Sequence, residues 1–402
     1  MIRLSNTLPL IAALMAPLPA LSADLDPSDW DAVLEQAQGQ TVYWHAWGGS
    51  TATNDFITWI GQQVAEQGVT LEHVKLSDTA DAVSRVLNEK QAGQDEDSAV
   101  DMIWINGPNF AAMKDAGLLY GPFAEQLPNW QYVDTTGKSV QSDFTVATEG
   151  YESPWAMAQV VYMYDSADMV PQHSAEAILE WAKANPGRFT YPQPPDFLGS
   201  TFLKQTLIEL TDNTEVLLRP ADQADYAAVT APLWDYLDAL TPVLWRSGSA
   251  YPASGPAQLQ LMADNEIDLA ISFSPGEAST AIANFQLPDT VRTFVLEKGT
   301  LGNASYVAIP YNSGSKAGAL VVANALLSPQ AQARAQDPAI LGYGTVLAMD
   351  KLSDEDRATF AALDLGIATL SPAELGTALP EPNPSWMTLI TDDWTRRYGA
   401  GQ

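Results

Sequence analysis

Glu152 to Asp165 reads Glu-Ser-Pro-Trp-Ala-Met-Ala-Gln-Val-Val-Tyr-Met-Tyr-Asp, with a long stretch of alternating strand and helix patterns on either side. Pro154 disfavours helix at Ser153, so the segment begins extended. The β-branched and aromatic residues after it suit a strand. A strand that leaves one α/β unit and enters the next acts as a hinge, and a hinge bounds a cleft. Trp155, at the mouth of this strand, is therefore expected to face whatever the cleft holds.

The remainder of the chain has material for two such units. Its 402 residues exceed one ordinary domain, and 46% are hydrophobic, enough for two cores. Residues 1–23 are expected to lie outside both. Arg3 gives a positive start, Leu8 to Leu18 an apolar core, and Ala20 and Ser22 small residues before a cut, the pattern of a secretory signal peptide cleaved near Ser22 or Ala23. Pro9, Pro17 and Pro19 interrupt that apolar run, which is too short for a membrane span. The sequence has no Cys, which excludes disulfides, thiolate chemistry and a lipid-modified cysteine. A net charge of −30 makes nucleic acid and anionic lipid poor partners. The expected product is an exported, soluble monomer without a cofactor.

Candidate binding residues sit where predicted strands run into helices. Thr41 to Ala46 reads as a strand, followed by Trp47-Gly-Gly-Ser50 and a helix from about Thr53 to Gln67. A turn after a strand, opening a helix, is where open sheets place ligands. Trp47, Gly49 and Ser50 are accordingly candidates, although Gly48 and Gly49 could equally make only a tight turn. The strand Val100 to Ile105 ends at Asn106-Gly-Pro-Asn109. Asn106 and Asn109 could present amides to a solute or cap the backbone, and for Asn109 the cap is the stronger reading. Beyond the hinge, Gly199, Ser200 and Thr201 offer backbone N–H groups and hydroxyls at a helix start. Phe273 and Ser274 follow the strand Glu266 to Ser272. Glu277 in the next helical turn complements the helix dipole. Ser305 to Ile309 runs back as a second crossover.

Five features together resemble the extracellular solute-binding proteins of ABC importers. They are the export signal, Val100-Asp-Met-Ile-Trp-Ile ahead of Gly117-Leu-Leu, the Pro154-Trp-Ala strand, the returning Tyr306-Val-Ala-Ile-Pro310, and a helix ending Leu327-Ser-Pro-Gln330. The resemblance covers nearly the whole mature chain and is closest to the iron, thiamine and polyamine group of type 2 periplasmic binding proteins. It implies an α/β fold of two lobes, each a mixed sheet flanked by helices, with a ligand cleft at the hinge. It places residues 24–153 with 303–345 in one lobe and 154–302 in the other, with 346–402 as a C-terminal helical region packed on both. It adds Asn303 and Tyr306 to the candidate binding residues. It also implies periplasmic location, a small-molecule solute trapped by hinge closure, and an ABC permease at the inner membrane as partner.

Other chemistries are poorly served. His45, His73 and His173 are far apart in sequence, and no tyrosine pair stands where iron-binding relatives hold their metal. A secreted two-domain enzyme acting on a carbohydrate or other small polar substrate is the alternative class. It would need two carboxylates across the cleft, and the loops assigned to the cleft carry chiefly Asp196 and Glu277. Gly, Ser and Asn at helix starts favour an anionic group. Trp47, Trp155, Phe273 and Tyr306 favour a flat or cationic one. A thiamine-like compound with an aromatic head and a phosphate satisfies both expectations, whereas a polyamine would need paired acids.

Overall fold

The computed structural model describes residues 25–376 and 378–399; the expected signal peptide, residues 1–23, lies outside them. In chain order the elements are α1 (Trp30–Ala37), β1 (Thr41–Trp47), α2 (Thr51–Ala65), β2 (Thr70–Leu76), α3 (Ala80–Gln91), β3 (Met102–Ile105) and α4 (Pro108–Asp115). A hairpin, β4 (Ser142–Asp143) and β5 (Val146–Ala147), precedes β6 (Glu152–Gln159) and β7 (Val161–Asp165). Then come α5 (Ala175–Ala184), α6 (Phe197–Leu210), α7 (Tyr226–Leu240), α8 (Gly255–Ala263), β8 (Leu269–Ser272), α9 (Glu277–Ala283) and β9 (Val291–Phe294). The chain ends with β10 (Gly302–Ala308), α10 (Lys316–Leu326), α11 (Pro329–Gln336), α12 (Asp354–Ala361), α13 (Pro372–Leu375) and α14 (Pro384–Tyr398).

Two sheets result. The larger has the order β2-β1-β3-β10-β6. Its first three strands are parallel, and β10 is antiparallel to both β3 and β6. The smaller sheet, β8-β7-β9, is antiparallel, with a parallel bridge from Phe189 to Leu269 at its edge. Short polar side chains start many of the helices by accepting orphan N–H groups: Ser50 for α2, Ser174 for α5, Asp225 for α7, Ser328 for α11. In α7 the helix runs through Pro232 and gives way at Thr241-Pro242.

Each sheet carries its own core. Trp44, Phe56, Ile103, Phe110, Val307 and Val321 belong to the first, and Tyr162, Phe202, Leu237, Trp386 and Trp394 to the second. A smaller cluster around Met163, Ile267 and Val291 backs the second sheet. We refer to these as lobe 1 and lobe 2. The C-terminal region divides between them. Leu347, Leu352 and Phe360 pack in lobe 1, whereas α14 inserts Trp386, Ile390 and Trp394 into the interior of lobe 2. Trp394 donates its indole N–H to the Tyr191 hydroxyl at 2.9 Å within that core.

The Glu152–Asp165 segment forms two strands rather than one. β6 pairs with β10 from Glu152 opposite Ala308 to Gln159 opposite Gly302, with a bulge at Trp155. The chain changes sheets only at Val160, six residues after the expected boundary at 153/154. Trp155 therefore belongs to lobe 1, and the expectation that it faces the cleft is corrected: its side chain is 0% exposed. Phe56 stacks on it at 6.0 Å between centroids, and Trp104 meets it edge-on at 4.8 Å. Removing such a ring loses its transfer energy and leaves a cavity. Trp155→Ala should cost about 3–5 kcal/mol, read as a lowered midpoint in urea unfolding, whereas a cleft residue would leave that midpoint nearly unchanged.

Candidate functional site

The strand directions bring one end of each sheet to the same place. β1 and β3 are parallel, so Trp47 and Asn106 emerge from one edge of lobe 1. β10 starts and β6 finishes at that edge. In lobe 2, Ser272 at the end of β8 pairs with Val161 at the start of β7. The loops after β1, β3 and β8 thus converge where the chain passes between lobes, the location favoured for ligands in open α/β sheets.

The candidate residues divide sharply at this edge. Trp47 is half-buried, and its ring lies so close to Gly49 that a Cβ there would come within 2.4 Å of it. Ser50 caps α2, accepting from Thr53 N–H at 3.4 Å. Asn106 donates to Ala304 C=O at 2.7 Å, tying the end of β3 to β10. The cap of α4 is Gly107 at φ +55°, and Asn109 sits half-buried in the first turn. Phe273 is half-buried and packs edge-on, at 5.4 Å, against Phe197, which is 41% exposed. Ser274 donates from Oγ to Gly342 C=O of lobe 1 at 3.3 Å. Asn303, buried at the junction, donates to Glu381 Oε1 at 3.1 Å.

Four expectations are corrected. Tyr306 is fully buried within lobe 1, its hydroxyl donating to Ser139 and Ser142 carbonyls, so it does not reach the cleft. α6 begins at Phe197, which places Gly199, Ser200 and Thr201 inside its first turns and buries them. Asp196 accepts from the N–H groups of Leu198 and Gly199 at 2.9 and 3.3 Å, and a Cβ on Gly199 would lie 2.2 Å from Pro192 C=O. Ser200 Oγ meets Thr391 Oγ1 of α14 at 3.2 Å, within lobe 2. At α4, Asp143 accepts the Gly107 N–H. Acid side chains therefore already fill helix starts that were expected to receive an anionic ligand group.

Residues that the sequence reading passed over form most of the junction. Lys204 of α6 and Glu381 ahead of α14 make an ion pair of 2.6 Å with both side chains buried. The Phe144 ring, carried by the β4–β5 hairpin of lobe 1, lies 4.4 Å from Lys204 Nζ. Thr145 of the same hairpin accepts from Asn383 Nδ2 at 2.9 Å. On the other side of the cleft, Gly276 N–H donates to Gly342 C=O at 3.1 Å. Two surface grooves of 470 and 520 Å³ lie along α2–β2 and on α3, away from all these residues.

Acids dominate the electrostatics here. Burial pushes the Asp143 carboxyl up to about 8, against the pull of the Gly107 N–H and with Glu381 nearby adding to the rise. Burial likewise raises Glu152, whose two oxygens have no hydrogen-bond partner, and the neighbouring Asp143 raises it further. Asp143 Oδ1 is also buried without a partner. The histidines take no part: His45, His73 and His173 each face a backbone carbonyl at 3.1, 3.2 and 2.8 Å. Among the described residues, no three His, Cys, Asp or Glu side chains converge to hold a metal ion.

Two outcomes follow from this geometry. A Cβ at Gly276 would stand 2.4 Å from Gly342 C=O, so Gly276→Val should hold the lobes apart, read as a larger radius of gyration by X-ray scattering at unchanged circular dichroism. Asp143 holds a proton in the folded protein that the unfolded chain releases near its ordinary 3.8. The folded state thus binds more protons between about pH 4 and 8, and stability falls as pH rises through that window. Asp143→Asn should flatten part of this slope in thermal melts, with Glu152 retaining the remainder.

Comparison with known proteins agrees with this architecture. Residues 62–356 match the family described as bacterial extracellular solute-binding protein. Protein YnjB of Escherichia coli (strain K12) is 42% identical over 390 residues, covering 96% of this chain and 98% of that protein. Two solved structures share the fold at low identity. The periplasmic binding protein AfuA from Actinobacillus pleuropneumoniae, with fructose-6-phosphate bound, aligns with a TM-score of 0.61 at 12% identity, over 90% of this chain and 99% of that one. The spermidine/putrescine ABC transporter substrate-binding protein PotD from Streptococcus pneumoniae aligns with a TM-score of 0.54 at 15% identity, over 88% and 99%. Members of the family are extracellular or periplasmic, bind small solutes and meet permease components. With two lobes, a double crossover and a residue-by-residue match over most of its length, the chain belongs to the bacterial extracellular solute-binding protein family, as the solute-binding component of an ABC transporter.

Proposed function

We propose that the interlobe cleft captures a small organic solute by hinge closure and that the closed monomer presents it to an inner-membrane permease in the periplasm. The observation that carries this reading is the junction itself. Gly276–Gly342, Ser274–Gly342 and Asn383–Thr145 are hydrogen bonds between lobes, and each breaks if the lobes part. Few chain segments join the lobes, so such a separation is a rotation about a small hinge. The walls that would meet the solute are Trp47, Asn106 and Asn109 on lobe 1 and Phe197, Phe273 and Ser274 on lobe 2. Their mixture of rings and amides suits a flat organic molecule.

A thiamine-like compound remains the first candidate, now as the unphosphorylated molecule. Phe197 and Phe273 offer ring faces that suit a flat or cationic group. The phosphate half of the earlier expectation loses its support, because Asp143 and Asp196 fill the helix starts. Neither family nor fold favours the secreted-enzyme alternative.

Native mass spectrometry of freshly purified protein, followed by denaturing release, tests the reading. A co-purified small molecule that raises the melting temperature and contracts the radius of gyration when added back supports capture by closure. A ligand that binds tightly yet leaves the radius unchanged removes the closure claim. Thiamine, its phosphates, polyamines and sugars form the comparison panel, with thiamine expected to shift the melt more than its phosphates.

A further inference from the structure

Glu277 opens α9 beside the point where the lobes touch. Its predecessor Gly276 donates its N–H to Gly342 C=O at 3.1 Å, and Ser274 of the same loop reaches that carbonyl at 3.3 Å. Tyr343, which follows Gly342, packs with lobe 1. Its ring lies 5.9 Å from that of Trp155, and its N–H donates to Ala335 C=O at 2.8 Å. Burial pushes the Tyr343 phenol up to about 12, the Thr53 hydroxyl opposing the rise and the Glu277 charge adding to it. A lobe 2 carboxylate and a lobe 1 ring thus lie within electrostatic reach of each other across the closed cleft.

This carboxylate is half-buried without a matching charge. Burial raises it, and the Ser272 hydroxyl, which donates to it, holds it down. Among the described residues no Lys, Arg or His pairs with it. Lys204, the ammonium buried at the junction, is already matched by Glu381 and does not supply the missing charge. The α9 dipole accounts for an acid at this position, but not for one that the other lobe covers. Taking a carboxylate out of water without a partner is costly. Parting Gly342 and Tyr343 from Glu277 admits water to it, so that cost falls on closing.

We propose that Glu277 is the charge gate of the cleft: its unmatched carboxylate opposes closure of the empty lobes, and an organic cation lying between Glu277 and the Tyr343 ring supplies the counter-charge and lets them close. This rests on capture by hinge closure as proposed above. It adds the charge class of the solute, the residues that read it, and a reason for the lobes to part when no solute is held. A carboxylate and a ring face together suit an ammonium or a charged heterocycle. An anion would meet Glu277 with like charge.

Small-angle X-ray scattering on protein emptied by denaturing release and refolding tests this without a known solute. Glu277→Gln keeps the side-chain shape and an acceptor for Ser272 but removes the charge, so its radius of gyration should fall below that of the wild type. Gly276→Val should lie above both. Should Glu277→Gln misfold by circular dichroism, Glu277→Met takes its place, since Ser272 Oγ also donates to Ser274 C=O at 3.1 Å. In the wild type, at least one of thiamine, spermidine and choline should contract the radius to that of Glu277→Gln, and glucose and citrate should not. A Glu277→Gln radius no smaller than wild type overturns the proposal, as does contraction by glucose or citrate, or by none of the three cations. Should Gly276→Val exceed the wild type while Glu277→Gln matches it, only this inference falls. Should all three proteins share one radius, the lobes do not part and hinge capture falls with it.

Discussion

The Val160 N–H donates to the Leu301 C=O at 2.7 Å, where the chain leaves lobe 1 and where it comes back. That bond lies between β6 and β7 on one pass and just before β10 on the other. It ties the two crossovers side by side, so both lobes hang from one narrow pair of strands. A third segment joins them: Leu379 N–H donates to Thr300 C=O at 2.8 Å, and Gly302 N–H donates to Leu379 C=O at 3.0 Å. Away from this knot the chain passes between lobes once more, from Leu363, packed in lobe 1, to Ala368, packed behind the lobe 2 sheet. A hinge of so few residues can bend without disturbing either core, and this separates the stability of the lobes from their relative position.

Polar chemistry is concentrated beside that knot. Gln159 Nε2 donates to Thr300 Oγ1, Gln205 Oε1 accepts from Leu301 N–H, and Asn303 reaches Glu381. Burying an ion pair such as Lys204–Glu381 is weak evidence for stability, since desolvation can exceed the Coulombic gain. An apolar pair would hold the lobes together at least as well. What the polar junction supplies instead is sensitivity: its balance shifts when charge, a proton or water reaches it. The apolar residues behind it, Trp155 and Tyr306 among them, provide the rigid frame against which that shift is expressed.

Strand and helix periodicity in the sequence was enough to read two α/β units, the turns after β1 and β3, and the return of the chain near residue 305. It also placed Trp47 and Asn106 at the converging edge, because strand-to-helix turns after parallel strands share one side of the sheet; Phe273 and Ser274 reach that edge from the antiparallel sheet, where the end of β8 meets the start of β7. Trp155 and Tyr306 were misjudged for a common reason. An aromatic residue on a strand has the same local signature whether its ring faces a core or a cleft, and only the pairing of β6 with β10 decides which. Gly199 to Thr201 were misjudged because α6 starts two residues earlier, with Asp196 as its cap.

Lys204, Glu381, Asp143 and Phe144 had no local signal. They are separated by up to 238 positions in a sequence containing 49 acidic residues, and nothing in their neighbours distinguishes them from solvated charges. Their meaning comes from burial and from one another, which are properties of the assembled lobes. The sequence by itself determined the fold class and the family, since hydrophobic periodicity and turn chemistry are local and the chain cannot satisfy them otherwise. The tertiary structure alone decided which side chains meet across the hinge, because those contacts join segments that share no local pattern and are brought together only by the packing of the two cores.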